Sequence, residues 1–244
     1  MARVILVHGA FCNSGVWGDD FLRDLRERGH TLEVIDLPGH GKDSTPKADV
    51  TLQAYADRVA RQVRSSSEPA VLVGHSMAGL VITQAADDIL ASGGTIDRLV
   101  YVAAVLPRNG KCQSDYTALP EGEGDGLRGG LDVSGDPKMA TLKPGVAYPA
   151  LFGHCEPETA VAAEAMLEPQ VIRVLFAPVA ITDDRPISRS FVVCSDDKAI
   201  PAPLQRRMAA ETPGVKVVEM NSDHSPFLSH RDEFVDVIDA LITE

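Results

Sequence analysis

The chain has too little positive charge for a protein that binds nucleic acid without sequence preference. It also has no run of apolar residues long enough to span a membrane. It carries 23 Lys and Arg residues against 35 Asp and Glu residues, which gives a formal net charge of −12. Binding to nucleic acid without sequence preference needs clustered positive charge, and so does docking on an anionic membrane. No apolar run in the sequence approaches the roughly 18 residues of a membrane span. We therefore expect neither a nucleic-acid nor a membrane partner.

Cysteine is scarce, and the sequence offers no pairing pattern for it. The four cysteines are Cys12, Cys112, Cys155 and Cys194. They are widely spaced in a chain large enough to bury a core without disulfides, which favours a reducing, cytoplasmic location. His8 lies near Cys12 and His154 precedes Cys155, but neither pair has a second pair at the spacing of zinc ligands. We predict no metal site.

Apolar runs that alternate with helical patterns indicate the fold class. The 244 residues suit one large domain, or one domain with an insertion. Strands are predicted at residues 3–7, 31–37, 70–73, 99–105, 190–194 and 215–220. Helices are predicted at residues 16–28, 52–63, 76–90, 156–167, 204–210 and 234–242. This alternation predicts an α/β fold, with a mostly parallel sheet covered by helices on both faces.

The alternation is interrupted in the middle of the chain. Residues 107–186 contain glycine-rich turns and irregular spacing, with a helical pattern near their end. We interpret this segment as a mainly helical lid, inserted between two strands of a core formed by residues 1–106 and 187–244. Such a lid would cover the carboxyl edge of the sheet, where ligands bind in open parallel sheets.

A strand that leads directly into a serine and then a helix is the strongest chemical signal. Residues 71–79 read VLVGHSMAG, with Ser76 at the turn. A nucleophile elbow requires this arrangement, because the tight turn exposes the serine hydroxyl at the sheet edge. The usual Gly-x-Ser-x-Gly pattern ends in glycine, where this chain has Ala78 followed by Gly79. A serine N-cap would have a similar local sequence, so the assignment depends on the residues that follow.

Two later loops supply a base and an acid for this serine. A serine hydroxyl is a weak nucleophile until an adjacent base takes its proton. His224 follows the last predicted strand, so we assign it as that base. Asp196 or Asp197, after the penultimate strand, would orient the histidine. All three groups follow strands, and together they predict a catalytic triad.

An acyl-transfer site also needs two N–H donors for the oxyanion that forms during the reaction. The backbone amide of Met77, which follows Ser76 at the start of a helix, is one candidate. The other is the amide of Ala10, in the loop after the first strand, where Gly9 allows the backbone to turn inward. An ordinary glycine turn would have the same sequence.

These motifs resemble those of α/β-hydrolases of the plant methylesterase and hydroxynitrile lyase type, and of their bacterial esterase relatives. The resemblance covers nearly the whole chain except the middle of the lid. Its segments are LVHGA at 6–10, DLPGHG at 36–41, VGHSMAG at 73–79, CSDDKAIP at 194–201 and DHSPF at 223–227. The resemblance implies the α/β-hydrolase fold. In that family the catalytic acid directly precedes a lysine, which selects Asp197 over Asp196.

The resemblance also implies chemistry without a cofactor. Family members hydrolyse small carboxylic esters, and a few cleave cyanohydrins. The cyanohydrin-cleaving members carry lysine directly after the catalytic histidine, and threonine at the position of Gly9. This chain has Ser225 and Gly9 at those places, and both differences favour hydrolysis.

We therefore predict a serine hydrolase that cleaves a small, largely apolar carboxylic ester or lactone through an acyl-enzyme. Two alternatives stay open: lyase, cyclase or perhydrolase chemistry with the same three residues in a biosynthetic pathway, and a ligand-binding receptor with this fold. The candidate substrate-binding residues are Phe11, Tyr116, Leu151, Phe152, Met166 and Phe176. The apolar lid also offers a surface through which two subunits could pair as a homodimer.

Overall fold

A parallel sheet forms the centre of the molecule in a computed structural model, which describes residues 1–183 and 185–244. The strands up to the insertion are β1 (Arg3–Val7), β2 (Thr31–Ile35), β3 (Ala70–His75) and β4 (Arg98–Val102). The later strands are β5 (Leu131–Ser134), β6 (Met139–Leu142), β7 (Gln170–Val171), β8 (Ser188–Cys194) and β9 (Val215–Met220). The main sheet has the order β2-β1-β3-β4-β8-β9 with every neighbouring pair parallel. This confirms the predicted fold class.

Helices cover both faces of this sheet. The α-helices of the described residues are α1 (Asp19–Glu27), α2 (Leu52–Val63), α3 (Ala78–Ala91), α4 (Gln113–Thr117), α5 (Ala147–Leu151), α6 (Pro157–Glu164), α7 (Ala202–Ala210), α8 (Pro226–Ser229) and α9 (Arg231–Thr243). Thr51 caps α2, where its hydroxyl accepts a hydrogen bond of 3.0 Å from the Ala54 amide. Among the described residues, no helix has the length and apolar character needed to cross a bilayer.

The two faces of the sheet bury alternate residues of each strand, as the two-residue period of a strand requires. In β1, Val4 and Leu6 belong to a buried cluster that includes α1 and α9. Ile5 and Val7 belong to the opposite cluster, which includes α2 and α3. Because both faces are covered, β1 and β3 are apolar along almost their whole length, which is why they could be predicted from sequence.

The strand order changes direction beside β1, and this change creates the crevice in which the candidate site lies. The chain passes from β1 to β2 on one side and then crosses to β3 on the other side of β1. At such a switch point, the loops after the two central strands diverge and leave a crevice at the carboxyl edge. The loop after β1 contains Gly9 and Ala10, and the turn after β3 contains Ser76.

The segment between β4 and β8 lies outside the main sheet. It contains α4, α5 and α6, together with an antiparallel sheet of order β5-β6-β7 that the sequence analysis did not predict. Residues from α5 and α6 form a small buried cluster with Ala199, which belongs to the loop after β8. The segment is therefore packed against the loop that carries the predicted catalytic acid.

Candidate active site

Ser76 lies at a strained turn between β3 and α3. Its φ of 58° is in the left-handed region that non-glycine residues rarely adopt. Backbone hydrogen bonds hold the turn: the Ser76 N–H donates to the Val102 carbonyl at 3.1 Å, and its carbonyl accepts from the Val105 N–H at 3.0 Å. The neighbouring strand β4 and the residues after it thus fix the serine at the carboxyl edge of the sheet.

Close packing explains why glycine stands at two positions of this turn. A Cβ atom on Gly74 would lie 2.9 Å from Ile82 Cδ1, and a Cβ atom on Gly79 would lie 1.9 Å from the Val105 carbonyl oxygen. The methyl group of Ala78, in contrast, is accommodated in the core. Positions 74 and 79 are therefore the ones where this turn excludes a side chain, and alanine at position 78 is compatible with the elbow.

We expect Gly79→Ala to lower the free energy of unfolding by about 3 kcal/mol, because the added methyl group must displace the Val105 backbone. Urea unfolding followed by circular dichroism would measure the loss. Ala78→Gly is the matched control; it adds no atom and should cost about 1 kcal/mol, mainly through backbone entropy. Equal losses in the two variants would contradict this account of the turn.

The predicted acid and base are in contact. The Asp197 carboxylate accepts a 2.8 Å hydrogen bond from His224 Nδ1 through Oδ2, and Gln205 Nε2 donates to the same oxygen at 2.8 Å. Oδ1 accepts from the amides of Ala199 and Ile200 at 2.7 and 2.9 Å. A carboxylate at Nδ1 keeps the proton on that nitrogen, so Nε2 is left as a proton acceptor.

Asp196 has a different environment from its neighbour. Its side chain is 43% exposed and bonds Lys198 and His154, whereas the Asp197 side chain is fully buried against His224. Hydrogen bonds from Lys198 and His154 hold the pKa of Asp196 below its usual range. The structure thus places Asp197 against the histidine and Asp196 at the surface.

Both candidate oxyanion donors lie beside Ser76. Ala10 lines the same cavity as Ser76, and Met77 follows the serine at the N-terminus of α3. The loop after β1 approaches the elbow closely, since a Cβ atom on Gly9 would lie only 2.8 Å from Ser76 Cβ. Among the described residues, neither the Ala10 nor the Met77 amide donates to another acceptor. Neither amide is therefore engaged by a described residue, and both stay candidates for the oxyanion donors.

Two buried histidines position backbone around the site, and the sequence analysis gave them no such role. His8 Nδ1 bonds the Gly9 carbonyl at 2.9 Å, and its Nε2 accepts from the Leu37 amide at 3.1 Å. His75 Nε2 donates to the carbonyl of His224 at 2.9 Å. Burial lowers the pKa of His75 well below its usual value, so the ring is neutral. In the sequence, the only indication of this role was that His8 directly precedes Gly9 and His75 directly precedes Ser76.

Asp223 joins the loop of His224 to the inserted segment. One carboxylate oxygen accepts from the Ser229 hydroxyl at 2.6 Å and from the Ser225 amide at 3.2 Å. The other accepts from the His154 amide at 3.0 Å. This buried carboxylate therefore holds the histidine loop, α8 and the inserted segment in one arrangement, a role that the sequence analysis missed.

A cavity of about 380 Å³ contains Ser76 and His224 in its wall. Four of the predicted substrate-binding residues also line it: Phe11, Leu151, Phe152 and Phe176. The other two predicted residues, Tyr116 and Met166, do not line this cavity. Tyr116 faces the core, and its hydroxyl accepts from the Arg108 amide at 2.9 Å. Met166 is 39% exposed and lies beside Gly15, outside the cavity.

In the described part of the chain, no group of three or more His, Cys, Asp or Glu side chains is placed to hold a metal ion. His8 precedes Cys12 by four residues in the sequence, but both nitrogens of His8 are hydrogen-bonded to backbone. Burial raises the pKa of Cys12 to about 12, which disfavours the thiolate that a metal would bind.

A doubly wound parallel sheet with a strained serine between a central strand and a helix defines the class of α/β proteins built around a nucleophile elbow. The chain belongs to the alpha/beta hydrolase family, whose model matches residues 4–237.

Named relatives in this family include both hydrolases and a lyase. Methylesterase 9 of Arabidopsis thaliana is 28% identical over 97% of this chain and 96% of its own length. An alpha-hydroxynitrile lyase from the same plant is 28% identical over 98% of this chain and 96% of its own length. A pyrethroid hydrolase from Sphingobium faniae JZ-2 superposes with a TM-score of 0.88 at 23% identity, over 99% of this chain and 97% of that one. The fold is thus shared along almost the whole chain.

Proposed function

We propose that the protein is a serine hydrolase that cleaves a small carboxylic ester or lactone. The observation that carries this proposal is the 2.8 Å contact between the buried Asp197 and His224, because His224 lines a cavity whose wall also contains the strained Ser76. A cavity of about 380 Å³ suits a small ligand, and its aromatic and aliphatic residues suit an apolar one. The methylesterase and pyrethroid hydrolase relatives support an ester as the reacting group.

In the proposed mechanism, Ser76 Oγ attacks the ester carbonyl carbon while His224 Nε2 takes its proton. The carbonyl oxygen becomes an oxyanion, held by the amides of Ala10 and Met77. Asp197 stabilises the charged His224 ring and keeps its orientation. The intermediate collapses to an acyl-enzyme, and the leaving alcohol takes the proton back from Nε2. Water, deprotonated by His224 Nε2, then attacks the acyl carbon; the bond to Ser76 Oγ breaks, Oγ takes the proton back from Nε2, and the acid is released.

The test combines turnover with covalent labelling. The protein should release p-nitrophenol from p-nitrophenyl acetate and butyrate, and a fluorophosphonate should label it stoichiometrically at Ser76, as located by peptide mass spectrometry. Labelling at another residue, or no labelling together with no turnover, would reject the proposed nucleophile.

A second candidate function is carbon–carbon lyase, cyclase or perhydrolase chemistry with the same residues. The observation that favours it is the relative named an alpha-hydroxynitrile lyase, which matches this chain as well as the methylesterase does. Against it, Ser225 lines the cavity directly after His224, where the resemblance implies a lysine in cyanohydrin-cleaving enzymes. Fluorophosphonate labelling at Ser76 without ester turnover, followed by product analysis with a cyanohydrin, would favour this alternative.

Three further features belong to the proposal: a lid, a cytoplasmic location and a homodimer. We propose that residues 107–186 act as a lid over a core of residues 1–106 and 187–244, because β4 and β8 pair directly while the segment emerges at the carboxyl edge. A cytoplasmic location is supported by four buried, free cysteines.

Homodimer formation through the lid is supported by its exposed apolar residues, such as Val161 (68%) and Phe176 (58%). Light scattering that gives only the 26.1 kDa monomer mass would reject the dimer.

A further inference from the structure

The wall of the cavity is not uniformly apolar. Apart from the groups around Ser76 and His224, its polar side chains come from one stretch of the inserted segment. They are Gln113, Ser114, Thr117, Asp125 and Arg128. The remaining walls are largely aromatic and aliphatic. This stretch, residues 113–128, is called the polar wall below.

Three members of the polar wall already have partners within the protein. The Ser114 hydroxyl contacts Cys112 Sγ at 3.1 Å, the Thr117 hydroxyl donates to the Ser114 carbonyl at 3.4 Å, and the Arg128 guanidinium donates to the Thr117 carbonyl. Gln113 differs from them, because its side-chain oxygen is buried and accepts no hydrogen bond from any described residue. A buried acceptor without a donor is costly, so a ligand that brings a donor to this oxygen would remove that cost.

Asp125 supplies a second acceptor on the same wall. One of its oxygens accepts from the Leu127 amide at 2.8 Å. Among the described residues, no Lys, Arg or His nitrogen lies within 4.0 Å of the carboxylate. Burial raises the pKa of Asp125, and the charge of Asp197 adds to that shift. The Gly126 amide donates to the Lys198 carbonyl at 2.6 Å, which holds Asp125 against the loop of the catalytic acid.

We propose that Gln113 and Asp125 form a subsite for a hydrogen-bond donor on the substrate, so that the natural ester carries a hydroxyl or N–H group remote from its reacting carbonyl. This inference rests on the proposed ester hydrolysis and narrows its substrate class. An ester that is apolar throughout would cover the two acceptors without pairing them, and its binding would bear that cost. A site built to hydrogen-bond a substrate hydroxyl strongly discriminates against the analogue that lacks it.

The test uses matched esters. Methyl alkanoates of increasing chain length are each paired with the analogue that carries a terminal hydroxyl. At the chain length that reaches the polar wall, kcat/KM for the hydroxy ester should exceed that of its partner by about tenfold. Hydroxy and plain esters of equal kcat/KM at every length would overturn the proposal.

Two variants connect this preference to its residues. Gln113→Leu removes the buried acceptor, and Asp125→Asn keeps the bond from the Leu127 amide while replacing the other oxygen with a donor. Each should reduce the hydroxy-to-plain ratio to about one. Gln53→Leu, at an exposed glutamine on α2, is the matched control and should keep the tenfold ratio. A ratio that survives both Gln113→Leu and Asp125→Asn would overturn the assignment of the subsite.

A binding measurement separates failure of the subsite from failure of the hydrolase. Calorimetric titration of the same ester pairs into Ser76→Ala gives a ratio of Kd values that needs no turnover. Tighter binding of the hydroxy ester, lost when Gln113→Leu is added, supports the subsite even if the intact protein hydrolyses no ester. Equal or undetectable binding of both esters overturns the subsite, whether or not the intact protein is an esterase.

Discussion

The Ser76→Ala variant should hydrolyse p-nitrophenyl esters with a kcat/KM about 10³-fold or more below that of the native chain. The lost hydroxyl is the proposed attacking group, and without it His224 has no nucleophile to activate. The turn itself should survive, because its hydrogen bonds to Val102 and Val105 use only backbone atoms that alanine retains. The loss should therefore appear in p-nitrophenol release while the melting temperature stays close to the native value.

Ser195→Ala provides the matched control for this experiment. Ser195 lies on the loop of the predicted acid, and its hydroxyl donates to Asn221 Oδ1 at 3.2 Å. Its removal should leave kcat/KM within about twofold of native, since surface substitutions of this kind change little. If Ser76→Ala kept more than about a tenth of native activity, the nucleophile would have to be another group, and the proposed mechanism would be wrong.

The core of the fold could be predicted because each strand has a strong local signal. Residues 3–7 were predicted as a strand and form β1 (Arg3–Val7), since a strand buried on both faces is a continuous apolar run. The start of α3 was less well predicted. The helix pattern suggested a start at Ser76, but the positive φ of that residue delays the helix to Ala78. The strain that marks the elbow is thus also what moves the helix boundary.

The inserted segment was harder to predict, because its structure depends on contacts between distant parts of the chain. Strand β7 has only two residues, Gln170 and Val171, and it exists because Met139 and Ala140 pair with it. No local pattern of so short a segment distinguishes strand from turn. Tyr116 packs in the core and does not line the cavity, and its position in the sequence did not distinguish these two environments.

The candidate site could be placed from sequence because its groups all follow strands of one parallel sheet. Ser76, Asp197 and His224 come after β3, β8 and β9, whose carboxyl ends lie at the same edge. The residues that support them could not be assigned this way. Gln205 reaches Asp197 from α7, and Asp223 reaches the inserted segment through the His154 amide. Those contacts depend on how the helices and the inserted segment pack, and strand order alone does not provide that information.

A second large effect is expected for Asp197→Asn, whose kcat should fall by about 10⁴-fold with the fold intact. Asp197 accepts from Ala199 and Ile200 through one oxygen and from Gln205 and His224 through the other. If the amide oxygen keeps the two backbone donors, its NH₂ group must face the Gln205 and His224 nitrogens. His224 can then accept at Nδ1 only by carrying its proton on Nε2, where it can no longer receive the serine proton. The loss of kcat is measured by p-nitrophenyl butyrate hydrolysis at saturating substrate.

The neighbouring aspartate makes this experiment decisive. Asp196→Asn changes the same functional group one residue earlier, at a side chain that is 43% exposed and bonds Lys198 and His154. Because exposed ion pairs contribute little, kcat should stay within about threefold of native. The reverse outcome, with Asp196→Asn inactive and Asp197→Asn active, would assign the acid to Asp196 and would contradict both the geometry and the family resemblance. Adjacent in sequence but different in burial and partners, the two carboxylates separate the effect of a charge near the site from the effect of a carboxylate bonded to His224.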